Sequence, residues 1–323
     1  MAKYPFDARF YLTVKNLPGH EGEVWDYLLN VPWFAQGPIF DALDAAGYPA
    51  HTVAKIIDRL FKKSVSDLIE LALGDDLESS PGLLVLQRLA SREVFDSAVQ
   101  LCQSKIAKDR ALGVLILMRV PGLTHLNEAV EVVTAVADRE TDETVMAPLA
   151  YALRHLDVPN RSAFLRRASK SKDPLTRFAV AFSLADLIDE IAIQTKIALS
   201  RDADEDVRDW ATFNLHLGLD SERRNRKEIK DAFYARINDP HAETRYEAIV
   251  GLAMCKDARV LPLLIEALEQ KDVWDLAIEA AREMGHPALL PALKGLRLWW
   301  RDSIRPDLLD YAIASCAQPA RRR

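Results

Sequence analysis

Glycine is scarce, at 12 of 323 residues, and runs of β-branched residues are short. Both shortages argue against a sheet protein, which needs β-branched strands and tight glycine turns. Cysteine is scarcer still: Cys102, Cys255 and Cys316 are odd in number, far apart and unpatterned. They exclude a disulfide framework and are expected to be reduced, packed thiols of a cytoplasmic protein. No apolar run approaches the roughly 18 residues of a membrane span. The opening residues Met1-Ala2-Lys3-Tyr4-Pro5-Phe6-Asp7 lack the apolar core of a secretion signal. Neither sign of charge dominates, since the net charge of −6 exerts no global pull toward nucleic acid or an anionic membrane.

The signatures of catalysis are missing too. His20, His51, His125, His155, His216, His241 and His286 are scattered, and none forms His-x-x-x-His or stands at ligand spacing from a cysteine. There is no phosphate-cradling glycine loop and no serine elbow. The sequence therefore assigns no catalytic residue, no metal ligand and no cofactor.

What is present is Leu, Ala, Arg, Asp and Glu, a helical composition, and one phrase written three times between residues 173 and 268. Asp173-Pro174-Leu175-Thr176-Arg177 opens the first copy, Asp204-Glu205-Asp206-Val207-Arg208 the second, and Asp239-Pro240-His241-Ala242-Glu243-Thr244-Arg245 the third. Leu184, Leu215 and Leu252 stand seven residues after the arginines. Arg177 to Arg208 is 31 residues and Arg208 to Arg245 is 37, the period of a helix pair. Arg110 with Leu117, and Met146 with Leu153, carry the phrase back toward the N-terminus, and a weaker copy starts near Trp274 with Ala281 in the leucine's place. Each acidic turn is expected to cap the helix after it. Small residues at Gly113, Ala181, Ala211 and Ala248 let helices approach, and each leucine fills the layer between them.

These residues resemble the HEAT-repeat family, in its short bacterial form of the phycobilin-lyase type; Asp202–Arg208 with Ala211 and Leu215 match its signature most fully. The resemblance covers residues 104–297. It implies an all-α fold, a right-handed solenoid of stacked antiparallel helix pairs in about six to eight units, with second helices lining a concave binding face. Residues 1–35 are then an irregular capping segment bearing Trp25, Trp33 and Phe34. Residues 36–103 form degenerate helical units, and 298–323 a capping helix and tail.

Arg177, Arg208 and Arg245 could form an anion-binding ladder, but their fixed place in the repeat favours pairing with acidic turns, as with Asp173 or Asp206. The 37-residue interval implies an insertion around residues 222–227. Arg223, Arg224, Arg226 and Lys227 lie there, and Arg166 and Arg167 sit near the corresponding helix earlier in the array. Together they outline a candidate basic strip, weighed against a solvated face neutralised by Glu222, Glu228 and Asp231. Trp299, Trp300 and Arg301 mark the C-terminal end; adjacent tryptophans lie about 100° apart on a helix, so one faces inward and the other an interface.

The expected function is a non-catalytic scaffold that binds a macromolecular partner, foremost a protein, on its concave face. A narrower form is an immunity or inhibitor protein, whose acidic loops at residues 75–78 and 202–206 block a basic toxin or nuclease. The alternative is a nucleic-acid-binding or alkylated-base-excising enzyme. It would use the basic strip together with residue types such as Trp210, Trp274 and Asp302.

Overall fold

A computed structural model describes residues 61–74, 77, 80–119, 125–271, 273–300 and 307–317. The N-terminal aromatic segment, the predicted helix at 39–46, most of the one at 51–63, the acidic loop at 75–78 save Leu77, Arg301, Asp302 and the tail lie outside them. The described residues hold helix and turn, and no strand. The chain divides between Pro159 and Asn160 into two compact units.

The first unit contains α1 (Val65–Gly74), α2 (Pro81–Leu89), α3 (Arg92–Cys102), α4 (Ala107–Met118), α5 (Leu126–Arg139) and α6 (Glu143–His155). Here α2, α4 and α6 pack in sequence as one layer, with α1, α3 and α5 beside them. The second unit repeats this arrangement over a longer run. Its first-helix layer is α8 (Pro174–Ser183), α10 (Glu205–Asn214), α13 (Ala242–Met254), α15 (Asp275–Met284) and α17 (Leu308–Ala317). Its second-helix layer is α7 (Ser162–Ala168), α9 (Glu190–Leu199), α12 (Lys227–Tyr234), α14 (Leu261–Glu269) and α16 (Leu290–Leu296). The predicted insertion is a single helical turn, α11 (Ser221–Arg224), capped by Asp220.

Local chemistry sets these boundaries. The side chains of Ser80, Ser91, Asp142, Asp173, Asp189 and Asp204 each accept a backbone N–H in the first turn of the following helix. Each such cap stabilises its helix by about 1 kcal/mol. Asp239 departs from the expected capping role. It lies two residues before the N-cap, His241, accepts that residue's N–H at 3.0 Å, and spends its other oxygen on arginines.

The leucines of the phrase (Leu117, Leu153, Leu184, Leu215 and Leu252) are all buried. In each of these copies the arginine position is the fourth residue after the N-cap. Applied to α15, whose N-cap is Trp274, that rule corrects the register by four residues. Ile278 occupies the arginine position, and Gly285, left-handed at φ 56°, takes the leucine's place and ends the helix.

Close approach matters at Gly113, where α4 crosses α3. A Cβ built there would lie 2.7 Å from the Ala98 carbonyl oxygen and 2.8 Å from Cys102 Sγ. Backbone cannot yield as a side chain does, so Gly113→Ala is expected to destabilise the protein by about 1–3 kcal/mol despite alanine's better helix propensity. Denaturant unfolding measures this directly.

Candidate functional site

The recurring arginines are bound within the stack. Arg177 donates from Nε and Nη2 to both carboxylate oxygens of Asp202, at 2.7 and 2.9 Å. Its Nη1 reaches the carbonyls of Ser171 and Lys172 at 3.1 and 3.0 Å. Arg208 repeats the pattern with Asp239, at 3.0 and 2.9 Å, and with the carbonyls of Asp202 and Ala203. Arg110 does the same with Glu140 and with the carbonyls of Ser104 and Lys105. Arg245 holds the carbonyls of Asp239 and Pro240.

Each bidentate pair thus ties one turn to the next and satisfies carbonyls that the helices leave open. The carboxylate partner opens the following turn, as Asp202 and Asp239 do. Asp173 and Asp206, the expected partners, play no such part: Asp173 is spent capping α8, and Asp206 lies exposed in the first turn of α10.

These pairs set the acid limit of the fold. Burial pushes the Asp239 carboxyl up, but Arg208, the His241 N–H and Arg236 together hold it below its ordinary value of 3.8. Asp202 is held down in the same way by Arg177 and the Asp204 N–H, and Glu140 by Arg110 and two backbone N–H groups, below its ordinary 4.5. A carboxylate with a depressed folded pKa contributes stability above its unfolded value and loses it as pH falls through the folded one. The contribution of these pairs is therefore expected to be flat through neutrality and to fall progressively below about pH 4. Denaturant midpoints measured across acidic pH check this, and an unchanged midpoint at pH 3 would contradict it.

The three cysteine thiols and the Lys196 amine are buried. Burial pushes the Cys102 thiol up to about 12 and Cys255 up to about 11, and it raises Cys316 as well. Lys196 is almost wholly buried and donates to the Leu187 carbonyl at 2.8 Å; burial pushes its ammonium down to about 8 against the pull of Asp186 and Asp189. In the first unit Gln103, Ser104, Arg110, Arg139, Glu140 and Thr141 line an open recess of about 390 Å³. Its arginines are already engaged, Arg110 as above and Arg139 with the Cys102 carbonyl. Among the described residues no three His, Cys, Asp or Glu side chains are placed to hold a metal ion.

The candidate basic residues are not brought together. Arg166 and Arg167 lie exposed on α7, and Arg167 stacks over Phe164 with its guanidinium 5.2 Å from the ring centre. Arg223, Arg224, Arg226 and Lys227 lie on or beside α11 and α12. Between the two groups runs α9, which packs on both α7 and α12 and exposes Glu190, Ile191, Gln194 and Ala198. Arg226 pairs with Glu190 and Glu228, holding the Glu190 carboxyl down to about 2 with help from Gln194. Arg223 pairs with Asp220 and Lys227 with Asp231, while Arg224 donates to the Leu219 carbonyl. Glu222 takes no part in these pairs. At the end of the second unit Trp300 is buried, whereas Trp299 is 48% exposed.

A different set of residues comes together on the first-helix layer of the second unit. On α8, Leu175, Phe178 and Phe182 stand at positions i, i+3 and i+7, one face of the helix. On α10, Asp206, Trp210 and Phe213 do the same at i, i+4 and i+7. The Trp210 ring meets Phe182 at 5.1 Å, Phe213 at 5.9 Å and Phe178 at 6.1 Å, each edge to face. Further along the layer, Tyr246 of α13 stacks on Trp274 at 4.7 Å. Beneath the row, His216 lies 3.2 Å from Glu247, both buried, and Asn214 donates to the Ala181 carbonyl.

All these rings remain partly open to solvent, Trp274 at 40%, and Leu175 is 72% exposed. The sequence reading named Leu175, Asp206, Trp210 and Trp274 in other connections, none of them as part of a row. The signal it lacked was a second apolar stripe on helices whose opposite face already fills the core.

Comparison with known proteins bears on the fold. The family described as HEAT repeats matches residues 196–285 and 229–303. Protein YibA of Escherichia coli K12 is 29% identical over 222 residues, 65% of this chain and 76% of that protein. The X-ray structure of E. coli YibA superposes with a TM-score of 0.67 at 24% identity, covering 82% of this chain and 97% of that one. An engineered protein superposes with a TM-score of 0.53 at 16% identity over 96% of this chain and 89% of its own. At these identities the superpositions establish the fold alone: residues 196–303 match the HEAT-repeat family, and over a wider span the chain is similar to YibA.

Proposed function

We propose that the chain is a binding module for another protein, acting through contact rather than chemistry. The observation that carries this reading is the aromatic row Phe178, Phe182, Trp210 and Phe213. The layer it stands on already has a buried core, and folding leaves these rings partly open to solvent. Protein interfaces are enriched in aromatic residues that combine large area with few rotatable bonds.

The family resemblance assigns the partner to second helices. Those of the second unit expose Ile191 and Tyr234 among ion pairs that already neutralise much of their basic charge. The aromatic row is a continuous cluster in which Trp210 meets three phenylalanine rings edge to face, and on this ground we place the contact on the first helices. An immunity or inhibitor protein is the narrower form of this reading.

Affinity capture of the full chain from its native cell extract, with quantitative mass spectrometry, tests the reading. A stoichiometric protein partner is expected. Recovery of nucleic acid in its place, or of no partner together with measurable turnover, would overturn it.

A further inference from the structure

Charge on the same face says what kind of protein surface it takes. The aromatic row is bordered at the helix starts by carboxylates: Asp173 before α8, Glu205 and Asp206 on α10, Glu243 on α13 and Asp275 on α15. Glu205 and Asp206 are exposed, and Asp206 stands one helical turn before Trp210, on its face. Glu243 lies 3.1 Å from the His241 ring.

The cations of α8, α10 and α13 do not offset these acids at the surface. Arg177 and Arg208 are locked to Asp202 and Asp239, and Arg245 is turned onto backbone carbonyls. Rings whose faces attract cations thus lie beside carboxylates that attract them too. The fold itself uses a related contact on the other layer, where the Arg259 guanidinium sits 4.4 Å from the Tyr234 ring centre while pairing with Asp257.

We infer that the first-helix face of the second unit, centred on Asp206, Trp210, Phe213 and Phe178, receives a lysine- or arginine-bearing segment of the partner protein. The cationic heads meet Glu205 and Asp206, and the aliphatic stems and guanidinium planes lie on the rings. A nucleic acid fits poorly, because its phosphates would meet these carboxylates. This inference rests on the protein-binding reading above and adds the partner's chemistry and place.

The test uses the full chain and fluorescein-labelled nona-arginine, with nona-glutamate and a short DNA duplex as controls. Nona-arginine is expected to bind saturably and to weaken with salt, while neither control binds. Trp210→Ala and Asp206→Lys should each weaken it by roughly tenfold or more, and Arg166→Glu with Arg167→Glu should not weaken it. If Trp210→Ala fails to fold, Asp206→Lys, at an exposed position, carries the test with Trp210→Phe as the conservative control.

Equal binding by wild type and Asp206→Lys would overturn the inference, as would capture of the duplex in place of the peptide. Should the native partner be captured equally well by Asp206→Lys and Trp274→Ala variants, the inference fails while the protein-binding reading stands. Should no partner be captured and turnover be measured, the reading itself fails.

Discussion

Arg208→Met is expected to destabilise the protein by about 3 kcal/mol, because it leaves the Asp239 carboxylate buried with much of its compensation removed. Breaking one side of a buried ion pair costs about 3–5 kcal/mol in general. The low end applies here, since Arg236 still reaches Asp239 Oδ2 at 3.1 Å and the His241 N–H still donates to Oδ1. Methionine retains the aliphatic bulk, so the loss reports the guanidinium and not a cavity. Two carbonyls, those of Asp202 and Ala203, also lose their donor.

A double-mutant cycle separates pair from context. Asp239→Leu alone strands Arg208, whereas the combination with Arg208→Met removes both charges at once. The combined loss is expected to fall short of the sum by at least about 1 kcal/mol. Strict additivity in urea unfolding would mean that the pair does not hold the turns together.

Phe233→Ala is expected to cost about 3–5 kcal/mol, the largest loss at any single apolar position. Phe233 is fully buried on α12 and lies against α13 where that helix carries Gly251. A Cβ at residue 251 would come within 2.4 Å of the Phe233 ring, so the ring occupies the space that the glycine leaves. The His216 ring borders the same site at 6.3 Å.

This contact predicts an inversion. Gly251→Ala should destabilise the wild-type protein, by about 1–3 kcal/mol, yet be neutral or better when Phe233 is already alanine. If it costs the same in both backgrounds, the ring and the glycine are not packed as described. Thermal unfolding of the four proteins gives the answer.

The stacking of helix pairs was legible because its requirements recur. The leucine seven positions after the arginine answers a packing need that every copy shares, and the structure buries all five, while the expected capping acid acts in the copies opened by Asp142, Asp173 and Asp204. The direction of the arginine pairs was not legible. Asp173, Asp202, Asp204 and Asp206 are equivalent by composition, and only the turn geometry decides that Asp204 caps while Asp202 receives Arg177.

Met146 makes the point from the other side. Where the arginine is missing, the position that would hold its carboxylate is Ser171, a coupled loss visible in the sequence once the true partner is known. The ion pairs of the basic residues at 223–227 were not legible for a similar reason. A run of like charge shows in sequence, but Glu190, the acid that takes up Arg226, lies 36 residues away.

Carboxyl footprinting of the full chain with and without its captured partner tests most directly where that partner sits. The predicted result is protection of Glu205, Asp206 and Glu243 on the first-helix layer, with Glu266 and Glu269 of α14 still labelled as in the free protein. Protection confined to Glu266 and Glu269, with Glu205 and Asp206 unchanged, would place the partner on the second helices and contradict the assignment made for the aromatic face.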